Sequence, residues 1–402
     1  MDQLQQEVDP VEVGLDPVAL DRLDRFFARR VDDGLLPGYL VSVARHGRVA
    51  HLTSYGLRDR EAGIPVTADT VWRLYSMTKP VASVAALMLH EEGLLDLDDP
   101  VSRHLPAFAD PQVYERGAGD DLRTRPAEGP VLVRHLLTHT AGMTIGAYRT
   151  HPVDSLYLAA GIETTAPKDA DLAEACEVYA GLPLQFEPGT EWNYSLATDV
   201  VGRLIEVVTG RPLDAFLSER VFAPLGMTDT GFWVSGERAD RLAVLYQENE
   251  DGGIAPIPGP PVHERPRLLS CVSGLVGTAR DYHRFMEFLR RRGELDGVRL
   301  LSPETVDTMT ANHLPTDLHS FGSKPIHGQP GNAGLGFSVV VDADRTESPE
   351  SEGSYGWSGA GGTTFWVDPR NDLTVQLMTQ VRPAGMLSFH ELKGFVSEAL
   401  GS

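Results

Sequence analysis

The stretch Trp72-Arg73-Leu74-Tyr75-Ser76-Met77-Thr78-Lys79-Pro80, followed by an apolar run to Gly93, decides how the rest of the chain is read. Its polar content is a serine and a lysine three residues apart. On a helix that opens at Ser76, the two side chains share one face about a turn apart, so the amine reaches the hydroxyl. A serine is a poor nucleophile without such a base. Pro80 fits the placement, because first-turn N–H groups have no intrahelical partner and a proline there loses no bond. The helix is therefore expected to begin at Ser76, with the hydroxyl at the positive end of the helix dipole, where a developing negative charge is favoured. Val81, Val84, Leu87 and Met88 recur at helical spacing, and Gly93 supplies a C-terminal stop. Taken alone, the pair is equally compatible with a capping serine followed by a solvated lysine. The rest of the chain has to decide.

A chain of 402 residues with 42% hydrophobic content can bury a large core and is expected to form two domains, or one with a large insertion. A formal charge of −22 argues against nucleic acid and anionic membrane as partners, since both need a basic face. The opening Met-Asp-Gln-Leu-Gln-Gln-Glu lacks the basic and apolar regions of a signal peptide, and no apolar stretch is long enough to span a bilayer, so a cytoplasmic location is expected. Cys176 and Cys271 are too few for a disulfide framework and read as small buried residues.

Residues 1–14 read as a tail. Asp16-Pro17 starts an amphipathic helix carrying Leu20, Leu23, Phe26, Phe27 and Val31. Two β-rich runs, 39–45 and 48–55, flank His46-Gly47 and predict a hairpin. From residue 96 the pattern changes to helices (131–138, 170–180, 196–209 and 214–222) with Pro/Gly-rich loops. Helices are expected again at 279–292 and 303–312, strands at 336–341, 355–357, 363–367 and 373–380, and a closing helix at 386–400. The acidic segment 342–352 reads as a solvated connection. The resulting expectation is an α+β fold, an antiparallel sheet flanked by helices and built from residues 1–95 and 270–402, with a mainly helical domain of residues 96–269 inserted and the active site at their interface.

Two further stretches join Ser76-Met77-Thr78-Lys79. Trp192-Asn193-Tyr194-Ser195-Leu196 precedes a helix of the inserted domain, and Gly356-Trp357-Ser358-Gly359-Ala360-Gly361-Gly362 lies at an edge of the returning sheet. This order resembles the serine β-lactamase and penicillin-binding-protein superfamily, with its S-x-x-K, middle and third motifs. More narrowly it resembles the carboxylesterases built on the class C β-lactamase fold, the family VIII esterases, whose middle motif is Tyr-Ser-x and whose third is Trp-x-Gly. Asp59-Arg60-Glu61-Ala62-Gly63, Arg134-His135-Leu136-Leu137-Thr138-His139-Thr140-Ala141-Gly142 and Pro188-Gly189 agree with it, so the likeness covers about residues 16–400.

The resemblance implies Ser76 as nucleophile, Lys79 as its hydrogen-bonded partner and Tyr194 as proton shuttle, with the choice of general base between the last two left open. It implies an oxyanion hole from the backbone N–H groups of Ser76 and Ala360, and a substrate pocket lined by Tyr75, Leu196, Trp357, Ser358 and Gly359. Departures from the β-lactamase pattern bear on the substrate. Trp357 stands where a lysine holds a substrate carboxylate, and Leu196 stands in place of an asparagine, so an apolar wall suited to a neutral ester is expected. The expected activity is hydrolysis of small, neutral, short-chain acyl esters through a serine acyl-enzyme. The alternatives are acyl transfer through the same intermediate, weak β-lactamase or D-Ala peptidase activity, and a non-catalytic penicillin-binding or sensor relative. No Gly-x-Ser-x-Gly elbow or phosphate-cradling loop occurs, and no histidine spacing singles out a Ser-His-Asp triad. His135 and His139 are four apart but lack the intervening glutamate of a His-Glu-x-x-His site, so no metal and no cofactor is expected, and His139 is assigned to backbone bonding at a helix end.

Overall fold

A computed structural model describes residues 3–167, 169–260, 262–314, 333–346, 348–383 and 386–401. Helix α1 (Pro17–Asp32) begins where the Asp16 side chain accepts the Val18 N–H and Pro17 takes the first helical position. Strands β1 (Gly38–Arg45) and β2 (Arg48–Asp59) pair through Arg45 and Arg48. His46 and Gly47 between them both have positive φ, 56° and 73°, the backbone of a two-residue turn that matches strand twist. Strand β3 (Ile64–Pro65) extends β2, and β4 (Val71–Arg73) leads to α2 (Thr78–Glu91).

The helices that follow are α3 (Val133–Leu137), α4 (Pro152–Ala159), α5 (Leu172–Ala180), α6 (Ala197–Thr209) and α7 (Leu213–Leu217), the last continued by a π-helical turn over Ser218–Phe222. Then come β5 (Val276–Thr278), α8 (Ala279–Arg290), α9 (Pro303–Thr310), β6 (Ser338–Val339), β7 (Tyr355–Gly359), β8 (Thr363–Asp368), β9 (Leu373–Thr379) and α10 (Met386–Ala399). The main sheet among the described residues runs β6-β7-β8-β9-β1-β2-β3, antiparallel throughout, with helices on it: the α+β arrangement expected.

Alternation along β1 explains why both of its faces are buried. Tyr39, Val41 and Val43 join Leu20, Leu23 and Phe27 of α1, Leu392 and Val396 of α10, and Val375 and Leu377 of β9 in one core. Leu40 and Ala44 point the other way, into the larger core that holds α2, α6 and α8. Helix α2 is buried along Thr78–Leu89, mostly apolar with Thr78, Lys79 and Ser83 as its buried polar members, and lies against α6.

Four expectations are corrected. The first residues are not a loose tail: Leu4, Val8 and Val13 are buried, Glu7 N–H donates to the Val49 carbonyl, and Pro10–Val13 forms a 3-10 turn, because these spaced apolar residues cover the end of the β2 surface. The 336–341 run forms a strand only at Ser338–Val339. The acidic segment is partly withdrawn from water, with Glu350 paired to Lys393 at 2.7 Å and both side chains about nine-tenths buried. Short strands also occur where only helices and loops are expected, in the antiparallel pair Gln112–Arg116 and Arg123–Pro126 and in Tyr246–Glu248, which pairs with Ile254–Pro256 and Val381–Arg382. Such two- to five-residue pieces are too short to show periodicity.

Candidate active site

Ser76 sits in a 3-10 turn, Tyr75–Met77, that feeds into α2. The α-helix proper therefore starts at Thr78, two residues later than expected, and Pro80 is its third residue. What holds the turn in place is the β4–β5 pair, with Arg73 opposite Val276, and the bond from Leu74 N–H to Leu275 carbonyl at 2.9 Å. Tyr75 has φ of +48°, a left-handed conformation uncommon for a bulky residue and retained where surrounding structure enforces it.

The Tyr194 hydroxyl donates to Ser76 Oγ at 2.7 Å, and Lys79 Nζ donates to the same oxygen at 3.3 Å and to the Val272 carbonyl at 2.9 Å. Lys79 is 1% exposed and its ammonium lies 4.5 Å from the centre of the Tyr194 ring, a desolvated cation–π contact. Ser76 and Tyr194 are half-buried, so the hydroxyl is both held and approachable.

Strand β7 delivers the glycine-rich stretch to the same turn. A Cβ placed on Gly359 would come within 2.4 Å of the Leu74 carbonyl oxygen, so only glycine lets the strand end close on the Ser76 turn. Ala360 follows at the turn out of β7, with Gly361 against the Tyr75 ring. Trp357 is half-buried, its ring 5.9 Å from that of Tyr194 and stacked on His139 at 6.1 Å. The Ser358 hydroxyl bonds that of Thr364 at 2.9 Å. Leu196 differs from expectation: it is fully buried in the core just ahead of α6, so it backs the site and lines no open wall.

His135 and His139 are both engaged with backbone. His135 Nδ1 accepts the Leu132 N–H at 3.2 Å. His139, with φ of 57°, accepts the Ser195 N–H on Nδ1 at 3.3 Å, while its carbonyl accepts the Asn193 N–H at 2.9 Å, so it clamps the loop carrying Tyr194 from two sides. No group of three potential metal ligands occurs among the described residues. Burial, followed by the Lys79 cation, lowers the His139 pKa from 6.5 to about 3. The native state thus stays neutral where the unfolded chain takes up a proton. This contribution to stability is complete above pH 6.5 and is lost as pH falls toward 3, by about 1.4 kcal/mol per pH unit for one histidine. His139→Gln is expected to flatten the decline in stability between pH 6.5 and 5, measured by denaturant unfolding; an unchanged slope would show that His139 is protonated in the folded protein.

Sequence reasoning missed Asp199. Fully buried on α6, it accepts the Val272 N–H at 3.0 Å, the Ser270 hydroxyl at 2.9 Å and the Tyr179 hydroxyl at 3.2 Å. Burial raises its pKa, against the pull of these bonds and of Lys79. It therefore fixes the segment whose carbonyl holds the Lys79 ammonium. The available signal was an aspartate set among buried α6 positions Ala197, Val200, Val201, Leu204 and Ile205.

A family model described as Beta-lactamase matches residues 23–389. Esterase EstB of Burkholderia gladioli is 35% identical over 402 aligned residues, covering 94% of this chain and 95% of its own. The monacolin J acid methylbutanoyltransferase of Aspergillus terreus is 29% identical over 394 residues, 92% of each chain. Among solved structures, EstCE1, described as a hydrolase with promiscuous acyltransferase activity, superimposes with a TM-score of 0.80 and 30% identity, over 96% of this chain and 98% of its own.

Proposed function

The chain belongs to the beta-lactamase family, within the serine hydrolases and acyltransferases of that fold, and from this premise we propose that it is a serine carboxylesterase of the family VIII type, hydrolysing small, neutral, short-chain acyl esters. The observation that carries the reading is the convergence of Tyr194 and Lys79 on Ser76 Oγ, at 2.7 and 3.3 Å. With one of Tyr194 and Lys79 deprotonated in the reacting enzyme, Ser76 Oγ attacks the ester carbonyl as its proton passes to that group. The tetrahedral oxyanion is received by the N–H groups of Ser76 and Ala360, the leaving alkoxide takes the proton, and water repeats the sequence on the acyl-enzyme to free the acid. The buried Lys79 side chain packs against the Tyr194 ring at 4.5 Å, so the two groups that meet at Ser76 Oγ are held as one unit.

Trp357 supports the choice of neutral esters, since an indole at that place offers an apolar face and no charge. Trp357→Lys is expected to change ester selectivity more than it lowers the melting temperature; equal selectivity of the two proteins would remove the pocket-wall role. A small-molecule ester is the partner that an acidic chain of net charge −22 favours over nucleic acid or membrane. Two free buried cysteines support a reducing, cytoplasmic setting.

A second reading, acyl transfer, is favoured by EstCE1 and the Aspergillus terreus transferase, because an alcohol replacing water at deacylation needs no further catalytic group. The deciding experiment is hydrolysis of p-nitrophenyl acetate and butanoate with product analysis in the presence of a competing alcohol. Free acid as the main product supports hydrolysis, a dominant new ester supports transfer, and no turnover of either substrate removes both.

A further inference from the structure

We propose that a cavity beside the nucleophile turn is a subsite for a carboxylate carried on an apolar part of the substrate, and that Arg73 is the residue that binds it. The proposal rests on the esterase reading and amends its substrate class: the scissile acyl group stays small and uncharged, while the alcohol part of the ester carries a carboxylate in place of a wholly neutral ester. The cavity has a volume of about 300 Å³. Its wall includes Tyr75, the neighbour of Ser76, and Phe232, Val262, Leu275 and Val276 make most of it apolar.

Arg73 lies on β4, three residues before the nucleophile, and is 9% exposed. One guanidinium nitrogen, Nη1, donates to the Ala243 carbonyl at 2.9 Å; Nε is buried without an acceptor, and no carboxylate lies within ion-pair distance among the described residues. A Cβ on Gly259 would fall 2.6 Å from Nε and 2.7 Å from Nη2, so the loop presses its backbone on the guanidinium and fixes its plane. The contrast with similarly withdrawn arginines is informative. Arg241 is closed by Asp229 at 2.6 Å, and Arg290 by Glu287 at 2.9 Å and by Asp372. In a chain with 57 acidic and 35 basic residues, a buried guanidinium that keeps its charge and has no carboxylate partner leaves that pairing to a ligand.

Other charges at the cavity do not take this place. Arg267 is engaged with Glu174 at 2.6 Å, and Asp169 is exposed, where water screens its charge. Arg73 can offer Nη2, which is neither sealed like Nε nor bonded like Nη1, to a carboxylate as a charge-assisted hydrogen bond, stronger than the bond a neutral amide would accept.

The test uses 4-acetoxybenzoate and its neutral partner 4-acetoxybenzamide, with p-nitrophenyl acetate as reference, on wild type, Arg73→Met and Arg73→Lys. Wild type is expected to favour the carboxylate over the amide in kcat/KM by roughly tenfold. Arg73→Met is expected to bring that ratio to about one, the larger loss falling on KM of the carboxylate substrate, and Arg73→Lys to retain part of the preference. Comparing the ratio across proteins cancels the intrinsic reactivity of the two leaving groups. Turnover of p-nitrophenyl acetate with no carboxylate preference in wild type overturns the subsite while leaving the esterase reading intact. Equal losses on both substrates in Arg73→Met would assign Arg73 to structure alone, which also overturns it. Absence of turnover on all three substrates overturns the esterase reading, and the subsite with it.

Discussion

Ser76→Ala is expected to lower kcat/KM for p-nitrophenyl acetate by about 10⁴-fold or more, with almost no change in thermal stability. The size follows from the chemistry: every covalent step passes through Ser76 Oγ, and no other hydroxyl in the chain has both a phenol at 2.7 Å and a buried ammonium at 3.3 Å among the described residues. Lys79→Ala and Tyr194→Phe should each cost a large part of the same factor. Combining either with Ser76→Ala should cost little more, because groups that act on one oxygen act as a unit. Mass spectrometry after reaction with a phosphonate ester should place a single adduct on Ser76 in the wild type and none in the alanine variant. A modified residue elsewhere, or a fully active Ser76→Ala protein, would end the assignment. Stability is spared because Ser76 is only half-buried and Lys79 keeps its bond to the Val272 carbonyl.

The second large effect is expected at Asp199, and there stability is the first casualty. Asp199→Ala leaves the Ser270 and Tyr179 hydroxyls without their acceptor, while the Val272 N–H keeps only the Ser270 Oγ at 3.2 Å. Unsatisfied buried donors cost about 1–3 kcal/mol each, so the two hydroxyls predict a loss of roughly 2–6 kcal/mol in denaturant unfolding. Asp199→Asn retains an acceptor of the same shape and should fold with a much smaller loss. Its kcat should nevertheless fall more than its KM rises, because the Val272 carbonyl that holds Lys79 is set by the carboxylate's bond to Val272 N–H. Wild-type kcat in a well-folded Asp199→Asn would show that this carboxylate serves the fold and has no part in positioning Lys79.

The nearest parts of the site were legible in the sequence, and the reason is range. Ser76 and Lys79 are one helical turn apart, His46-Gly47 dictates its own turn, and the apolar spacing of α2 and α6 lies within a window of a dozen residues, so local geometry predicts these elements and the nearness of the serine to the lysine, though not their role. The three ordered motifs extended that reading to Tyr194 and to the Gly356–Gly362 stretch by resemblance. What no local pattern encodes is closure over distance. Tyr194 reaches Ser76 across 118 positions, Val272 reaches Lys79 across 193, and Asp199 ties Val272 down across 73. The same holds for the packing of residues 4–13 on the sheet, the burial of Leu196 and the solitary charge of Arg73, each set by which surfaces meet once the core has formed. Sequence alone thus determined the fold class and placed a serine and a lysine within reach of one another. Tertiary structure decided which groups hold that lysine, which residues face the substrate and where a buried cation awaits a partner, because burial and pairing are properties of the packed molecule.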